Sequence, residues 1–382
     1  MHKLLLGASI TLITLTVVGK AAHAVTLQRG ISANVIYIQD YFSDVHGGRQ
    51  VGGGAPGILD LSATLNGRSW DGTKNNRFHF DLLGTFGSSI SNQVGDIQGL
   101  DNIGAYNTFK VFSAWYQHTF GATGVSLRLG MQDYTALFDT TNASLVFINS
   151  SFGLGGAIAQ TFVSTFPTTT LGGVVRWKAS NGFYAMAGIY NGIPGEPGHP
   201  EGTHLYFGPG DGVFSAAEIG LSGGPKQLYK IGIGGWYQTT RYHDFTGRER
   251  DRNHGEYVIG QARLYSGTPT PDVDGFVQIG EAQSDANMLN RYIGTGVSVT
   301  GLVPGRGDDS FGLGMARVHT SDAYQRVTLS AGYAETVLEM TYQAQLNSHV
   351  MVQPDLQYIM DPGASRTIGN ALVAGLRGQF SW

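Results

Sequence analysis

The stretch NALVAGLRGQFSW, residues 370–382, alternates between two kinds of side chain and stops on an aromatic residue. Successive side chains of an extended strand point to opposite faces, so this stretch has two chemically different faces. The apolar face carries Leu372, Ala374, Leu376, Gly378, Phe380 and Trp382. The other face carries Val373, Gly375, Arg377, Gln379 and Ser381. The pattern predicts a strand with lipid on one side and water on the other.

The start of the chain has the features of an export signal. Residues 1–3 are a short basic start, and residues 4–18 are an apolar run too short for a spanning helix, which needs about 20 residues. Ala22-His23-Ala24 is a small-x-small cleavage site, so we place the cut after Ala24. The alternative interpretation of this run is a membrane anchor or a buried helix. We expect a signal peptide at 1–24 and one mature domain at 25–382.

The two ends of the chain together predict its compartment. A C-terminal strand that ends on Phe or Trp is what the outer-membrane barrel assembly machinery recognises, and Trp382 is the last residue here. We therefore expect an exported protein of the outer membrane of a Gram-negative bacterium, with that machinery and outer-membrane lipid as partners.

The composition agrees with a membrane barrel. Charged residues are 14% of the chain, against roughly 25% in a soluble domain, yet the mean hydropathy is only −0.07. Low charge without long apolar runs is typical of strands whose side chains alternate between lipid and lumen. The chain has no cysteine, which excludes disulfides and thiolate metal sites. The net charge of −4 gives no indication of nucleic-acid binding.

Alternating segments recur along the chain, and we find no linker between domains. Clear examples are residues 77–86, 125–131, 335–346 and 350–358. A tilted spanning strand takes about 10 residues and a connection about a dozen, which predicts about 16 strands for the mature chain. The fold class is therefore all-β: a transmembrane antiparallel β-barrel of the outer-membrane porin type. The longer stretches, predicted to be external loops, are residues 44–56, 192–209 and 240–253.

The same alternation predicts which side chains face the lumen. The charged candidates for pore lining and substrate binding are Arg77, His79, Asp81, Arg128, Arg176, Glu335, Glu339, Asp355 and Arg377. Trp236 joins them because the more apolar face of its strand points outward. Trp115 joins them if Phe120 pairs with Val125 across a two-residue turn. A slip of one residue in this pairing would turn the side chain of Trp115 to the outside. For each of these residues the alternatives are plain wall lining and, for the tryptophans, the aromatic girdle.

The sequence contains no recognisable motif for catalysis, cofactor binding or metal binding. The histidines of residues 199–204 lie in a Gly/Pro loop without a third ligand, and Gly232-Ile233-Gly234 is not followed by a helix. We expect no catalytic residue, no cofactor and no metal, and hence not an enzyme.

Several sequence blocks, in order, carry a family resemblance. They are residues 94–99, 149–153, 166–169, 192–197, 301–306 with 308–309, 335–339 and 353–358. From about residue 29 to its C-terminus the chain resembles the carbohydrate-selective porins of the OprB family. The family usually has a longer segment before its first strand, where this chain has little more than residues 25–28.

The resemblance implies a monomeric barrel of sixteen strands that admits glucose and other small sugars by passive diffusion. A neutral sugar needs polar groups for its hydroxyls and weak binding, and lumen charges of both signs suit a neutral solute. The alternatives are a less selective porin for small solutes or ions, an outer-membrane enzyme built on a barrel, and a secreted soluble β-protein. As a lumen residue, Arg377 is expected to tune selectivity, so its removal should leave folding nearly intact.

Overall fold

The computed structural model describes residues 25–28, 30–69, 72–224, 227–268 and 270–382. The predicted signal peptide, residues 1–24, lies outside the described residues. Most of the rest is strand, as the alternating segments predict. Among the described residues, none of the helices is long and apolar enough to span a membrane.

Sixteen antiparallel strands close into a barrel, which confirms the predicted fold class. They are β1 (Ile31–Gly48), β2 (Gly57–Asn66), β3 (Asn76–Phe86), β4 (Thr108–Thr119), β5 (Val125–Gln132), β6 (Thr170–Lys178), β7 (Phe183–Asn191), β8 (Val213–Gly223), β9 (Tyr229–Gln238), β10 (Asn253–Ser266), β11 (Asp272–Ala282), β12 (Leu289–Thr300), β13 (Ser310–Thr320), β14 (Ala334–Gln345), β15 (Val350–Met360) and β16 (Gly369–Ser381).

Each strand pairs with its neighbours in sequence, and β16 closes the barrel against β1. In that seam Arg377 lies opposite Asp40, and Trp382 exchanges two backbone hydrogen bonds of 2.9 Å with Val35. Closure gives β16 and β1 each a partner along the seam, since an unpaired backbone group would be costly in lipid.

Short elements decorate this frame. The strand Val25–Gln28 pairs with β1, Gly53–Gly54 also lies against β1, and Tyr242–His243 pairs with Glu249–Arg250 in a loop. The remaining short elements are α1 (Ser91–Val94), α2 (Gly156–Ala159), α3 (Asp322–Val327) and 3-10 turns at Gly67–Ser69, Ala143–Val146, Ser150–Phe152 and Pro362–Ala364.

The side-chain alternation is visible in the structure. On β16, Leu376 is 47% exposed whereas its neighbour Arg377 is only 7% exposed. On β3, Phe78 and Phe80 are exposed on the outside, whereas Leu83 is fully buried on the inside. The outward side chains at these positions are thus apolar, as contact with lipid requires.

The two rims of the barrel differ in the length of their connections. At one rim, here called the turn rim, the strands are joined by short connections such as residues 120–124 and 179–182. The other, the loop rim, carries longer connections, and such loops face the outside of the cell in outer-membrane barrels. The predicted loop 44–56 is shorter than expected, because β1 continues to Gly48.

Two loop-rim connections fold into the lumen, which the sequence did not predict. The first inserted segment, residues 87–107, packs its Ile90, Val94 and Leu100 against inward-facing side chains of β1, β14, β15 and β16. The second inserted segment, residues 133–169, packs against the inner wall of β6 to β13. These packed layers are the hydrophobic core of the molecule, and they narrow the channel.

Candidate functional site

Glutamates of β14 hold both inserted segments by their backbone. Glu335 accepts hydrogen bonds from the backbone N–H groups of Ile97 (3.0 Å) and Gln98 (3.1 Å). Four residues further along the same strand, Glu339 accepts hydrogen bonds from the backbone N–H groups of Ile148 (2.6 Å) and Asn149 (2.9 Å). A carboxylate that accepts several N–H bonds is a strong, geometrically specific anchor. Two inward-facing glutamates of one strand therefore hold the first and the second inserted segment.

A third carboxylate anchors the second inserted segment on the opposite side. Glu218 of β8 accepts from the backbone N–H of Asp139 at 2.9 Å and pairs with Lys230 at 3.3 Å. The hydroxyls of Tyr184 and Tyr257 also donate to it, at 2.7 and 2.8 Å. Its charge is therefore compensated although its side chain is almost completely buried.

Arg377 ties the barrel seam to the first inserted segment. Its guanidinium donates to both carboxylate oxygens of Asp40, with a shortest distance of 2.6 Å. The same group reaches Asp101 at 3.4 Å and the amide oxygen of Asn102 at 2.7 Å. Arg377 thus points inward as predicted, but its partners enclose it and it does not line the open channel.

Trp236 is also inward-facing and enclosed. It is 4% exposed and stacks on Phe214 with ring centroids 6.0 Å apart, under the aromatic core that the second inserted segment builds. Asp81, Glu335, Glu339 and Asp355 are likewise no more than 6% exposed. For all six of these predicted pore-lining residues the inward direction is as expected, but each side chain is almost completely buried and little of it is open to the channel.

Five other predicted residues lie together on the inner wall of β3 to β6, in the part nearer the turn rim that the inserted segments leave uncovered, and their side chains are not buried. The imidazole of His79 stacks on the ring of Trp115 at 4.9 Å, and the guanidinium of Arg128 lies 4.0 Å from the centre of that ring. Arg77 and Arg176 complete the group, which we call the arginine wall. The imidazole, indole and guanidinium planes come from three adjacent strands.

Hydrogen bonds fix the orientation of these planar groups. Gln117 accepts from Nε and Nη2 of Arg128 at 3.1 and 3.0 Å, and His79 Nδ1 lies 3.0 Å from the hydroxyl of Thr64. Arg77 donates from Nε to Asn66 at 3.3 Å. The guanidinium groups of Arg77 and Arg128 are therefore preorganised, with further N–H donors available to a solute.

The register of the β4–β5 hairpin explains why Trp115 faces inward. Thr119 pairs with Ser126, and the backbone N–H of Phe120 donates to Val125 at 2.9 Å. This is the two-residue-turn register on which the inward assignment of Trp115 depended. Trp115 then lies opposite Gly130, which leaves room for the indole on the inner face.

The second inserted segment begins next to this wall with an acidic group. Asp133 is 6% exposed and accepts from both the backbone N–H and the hydroxyl of Thr135, each at 2.8 Å. Burial raises the pKa of its carboxyl to about 6. The sequence did not single out Asp133, nor Phe162, whose ring is 48% exposed on the same segment.

The interior thus offers oriented groups that can bind a solute. Within the described part of the chain, no group of three or more His, Cys, Asp or Glu side chains could hold a metal ion. Arg, Trp and His side chains surround a passage and can make reversible contacts with a solute that moves through it. A closed sixteen-strand barrel with an apolar outside, a polar inner wall and inserted segments defines an outer-membrane porin.

Comparison with known proteins agrees with this class. The profile of the carbohydrate-selective porin, OprB family, matches residues 60–382. Porin B of Pseudomonas aeruginosa is 22% identical over 409 residues, covering 92% of this chain and 87% of the relative. The high-pH structure of Pseudomonas putida OprB superposes with a TM-score of 0.83 at 19% identity, over 93% of this chain and 94% of that one.

A more distant barrel shares the same architecture. The outer membrane channel DcaP of Acinetobacter baumannii has a TM-score of 0.58 at 10% identity, over 94% of this chain and 99% of that chain. The match of the family profile, which spans most of the sequence, decides the identity. The chain belongs to the carbohydrate-selective porin family OprB, and it is a sugar-selective porin of the outer membrane.

Proposed function

We propose that sugars cross the barrel in contact with the arginine wall, the group formed by Arg77, His79, Trp115, Arg128 and Arg176. The observation that carries this proposal is the stack of His79, Trp115 and Arg128, which presents oriented N–H donors on the uncovered part of the inner wall. Guanidinium donors can replace water at sugar hydroxyls without forming a bond too strong to release. Diffusion is passive and needs no catalytic step, so we infer that the chain is not an enzyme.

Block of single-channel ion current by added sugar tests this proposal. A hydrogen bond to a charged group contributes about 1.5–3 kcal/mol, so Arg128→Gln should weaken sugar block roughly tenfold or more. The control is Arg241→Gln, because Arg241 lies in a loop and its side chain is 69% exposed. Equal block by maltose or glucose in wild-type and Arg128→Gln channels would remove the arginine wall from the sugar path.

The three arginines of the wall favour a second candidate function, the passage of small anionic solutes. Rings of one charge sign select ions, and the acidic lumen residues Glu335 and Glu339 are buried beneath inserted segments. A reversal potential measured across a salt gradient decides between the two. Marked anion preference together with weak sugar block would favour the less selective porin.

We further propose how the protein reaches its membrane. Residues 1–24 would be removed after Ala24 during export, and Trp382 would present the C-terminal strand to the barrel assembly machinery. The family resemblance supports a monomeric barrel. N-terminal sequencing of the protein extracted from outer membranes tests the cleavage site, and its mass in mild detergent tests the oligomeric state.

A further inference from the structure

Charged side chains interrupt the lipid-facing wall near the loop rim. Four outward residues lie side by side across β10 to β13, in the pairing order Glu256, Glu281, Arg291 and His319. All of them lie within four residues of the loop-rim end of their strands. Elsewhere on this face the neighbours are apolar, such as Ile233. A charge on the lipid face is unfavourable unless it lies near the membrane interface or has a partner.

The charges in this row are only partly paired. Arg291 and Glu281 form an ion pair of 3.5 Å, but their side chains remain 67% and 54% exposed. Glu256 is exposed directly opposite Glu281, and like charges in that cross-strand position repel each other. Arg317 lies two residues before His319 on the same outward face of β13 and donates to the hydroxyl of Thr336 at 2.7 Å. In the part of the chain that the structure describes, no carboxylate pairs with Arg317. Polar groups therefore remain for a ligand on the outer surface.

An apolar depression continues the row around the barrel. Ala187, Ala217 and Gly235 are paired outward residues with little or no side chain, and Gly235 lies next to Glu256. The depression has a volume of about 1050 Å³, and Ile233 and Tyr237 border it. Its charged end and apolar body match an amphiphile, with the head at the row and an acyl chain over the small residues.

We propose that this outer surface binds a phosphorylated glycolipid of the outer leaflet, of the lipid A type. Its phosphate would pair with the guanidinium groups of Arg291 and Arg317, and its sugar hydroxyls and amides would donate to Glu256 and Glu281. One acyl chain would lie in the depression at Ala217. The location at the loop rim agrees with the outer leaflet, where such lipids have their headgroups. The site lies outside the channel and does not depend on the route of sugars.

Copurifying lipid tests the proposal in the intact barrel. Wild-type protein extracted from outer membranes in mild detergent should retain phosphorylated glycolipid in native mass spectra. After delipidation, it should rebind lipid A at least tenfold more tightly than phosphatidylglycerol. Arg291→Gln with Arg317→Gln should reduce lipid A affinity at least tenfold. Ala217→Leu should reduce it as well by filling the depression, and a leucine on the lipid face is compatible with folding.

Two matched controls separate the site from general effects. Arg252→Gln removes a loop cation whose side chain is 77% exposed, and Ala374→Leu enlarges an outward side chain on β16; both should bind lipid A like the wild type. Undiminished lipid A binding in the double arginine variant and in Ala217→Leu would overturn the proposal. Equal affinity for phosphatidylglycerol and lipid A would overturn the proposal that the site recognises the sugar headgroup. A dimer that depends on Arg291 and Glu256 would assign this surface to a second copy of the chain instead.

Discussion

Arg377 shows how far the direction of a single side chain predicts its role. Its inward direction follows from alternation alone, and the sequence therefore suggested a residue that tunes selectivity. In the folded barrel it lies between Asp40 and Asp101, and all three side chains are buried. Removing one partner of a buried ion pair leaves the others uncompensated. Because Arg377 is enclosed by these carboxylates, we no longer expect folding to tolerate the loss of its side chain.

We accordingly expect Arg377→Ala to destabilise the barrel by about 3–5 kcal/mol, because Asp40 and Asp101 would remain buried without a cation. The measurement is the urea concentration at which the folded, heat-modifiable band disappears. Arg77→Ala is the control, since Arg77 is exposed in the lumen and its loss should leave this midpoint nearly unchanged. An unchanged midpoint in Arg377→Ala would show that the seam does not need this pair.

At the scale of elements, the alternation of side chains determines how β16 is placed in the wall, whereas hydrogen bonds to buried carboxylates hold the inserted segments in place. Leu376 and Arg377 are adjacent in sequence, yet Leu376 is exposed on the outer wall whereas Arg377 binds carboxylates inside the barrel. The second inserted segment has no such periodic pattern. It is held by the carboxylates of Glu339 and Glu218 and by aromatic packing beneath it.

Leu376→Arg tests the outward face of β16. An arginine on the lipid face costs about 2–4 kcal/mol near the bilayer midplane and about 0–1 kcal/mol near the interface. We therefore expect a lower yield of folded barrel for Leu376→Arg than for Asn370→Arg, because Asn370 lies at the rim end of the same strand. Refolding into lipid vesicles, followed by gel mobility, measures both. Equal yields would contradict the assignment of Leu376 to the membrane interior.

Glu339→Gln tests the anchoring of the second inserted segment. Glutamine offers one oxygen and one NH₂ group where Ile148 and Asn149 both present N–H donors, so one hydrogen bond is lost and a donor faces a donor. The loss of a buried partner costs about 1–3 kcal/mol. We expect the segment to loosen, with larger and noisier single-channel conductance. Glu249→Gln, in an exposed loop, should conduct like the wild type.

At the scale of the whole molecule, the barrel closes at the seam where Trp382 meets the first barrel strand, β1. Trp382 bonds Val35 through two backbone hydrogen bonds and stacks on Phe380, with ring centroids 6.2 Å apart. Its side chain is 47% exposed on the outer wall. It therefore contributes to closure and also lies in the row that meets lipid.

Deletion of Trp382 should impair insertion of the barrel while export continues, because closure and the terminal aromatic are lost together. The measurement is the amount of heat-modifiable protein in outer-membrane fractions beside the amount in the periplasm. Trp382→Phe keeps an aromatic end and should insert close to normally. Wild-type levels of folded barrel after the deletion would contradict a role in assembly.

The sequence alone determined the barrel, its strand number and the facing of its side chains. These properties follow from a period of two and from the need to satisfy every backbone group in lipid, and both operate locally along each strand. The family resemblance, confirmed by the profile match, supplied the solute class.

Only the tertiary structure decided which inward residues remain open to the channel. Arg128 and Glu339 are both inward by alternation, but one lies on the uncovered arginine wall and the other beneath residues 133–169. Whether a loop inserts depends on contacts with strands far away in the chain, such as Asn149 with Glu339, 190 residues apart, and Asp101 with Arg377, 276 residues apart. No local periodicity encodes such contacts, because they exist only once the barrel has closed around the segment.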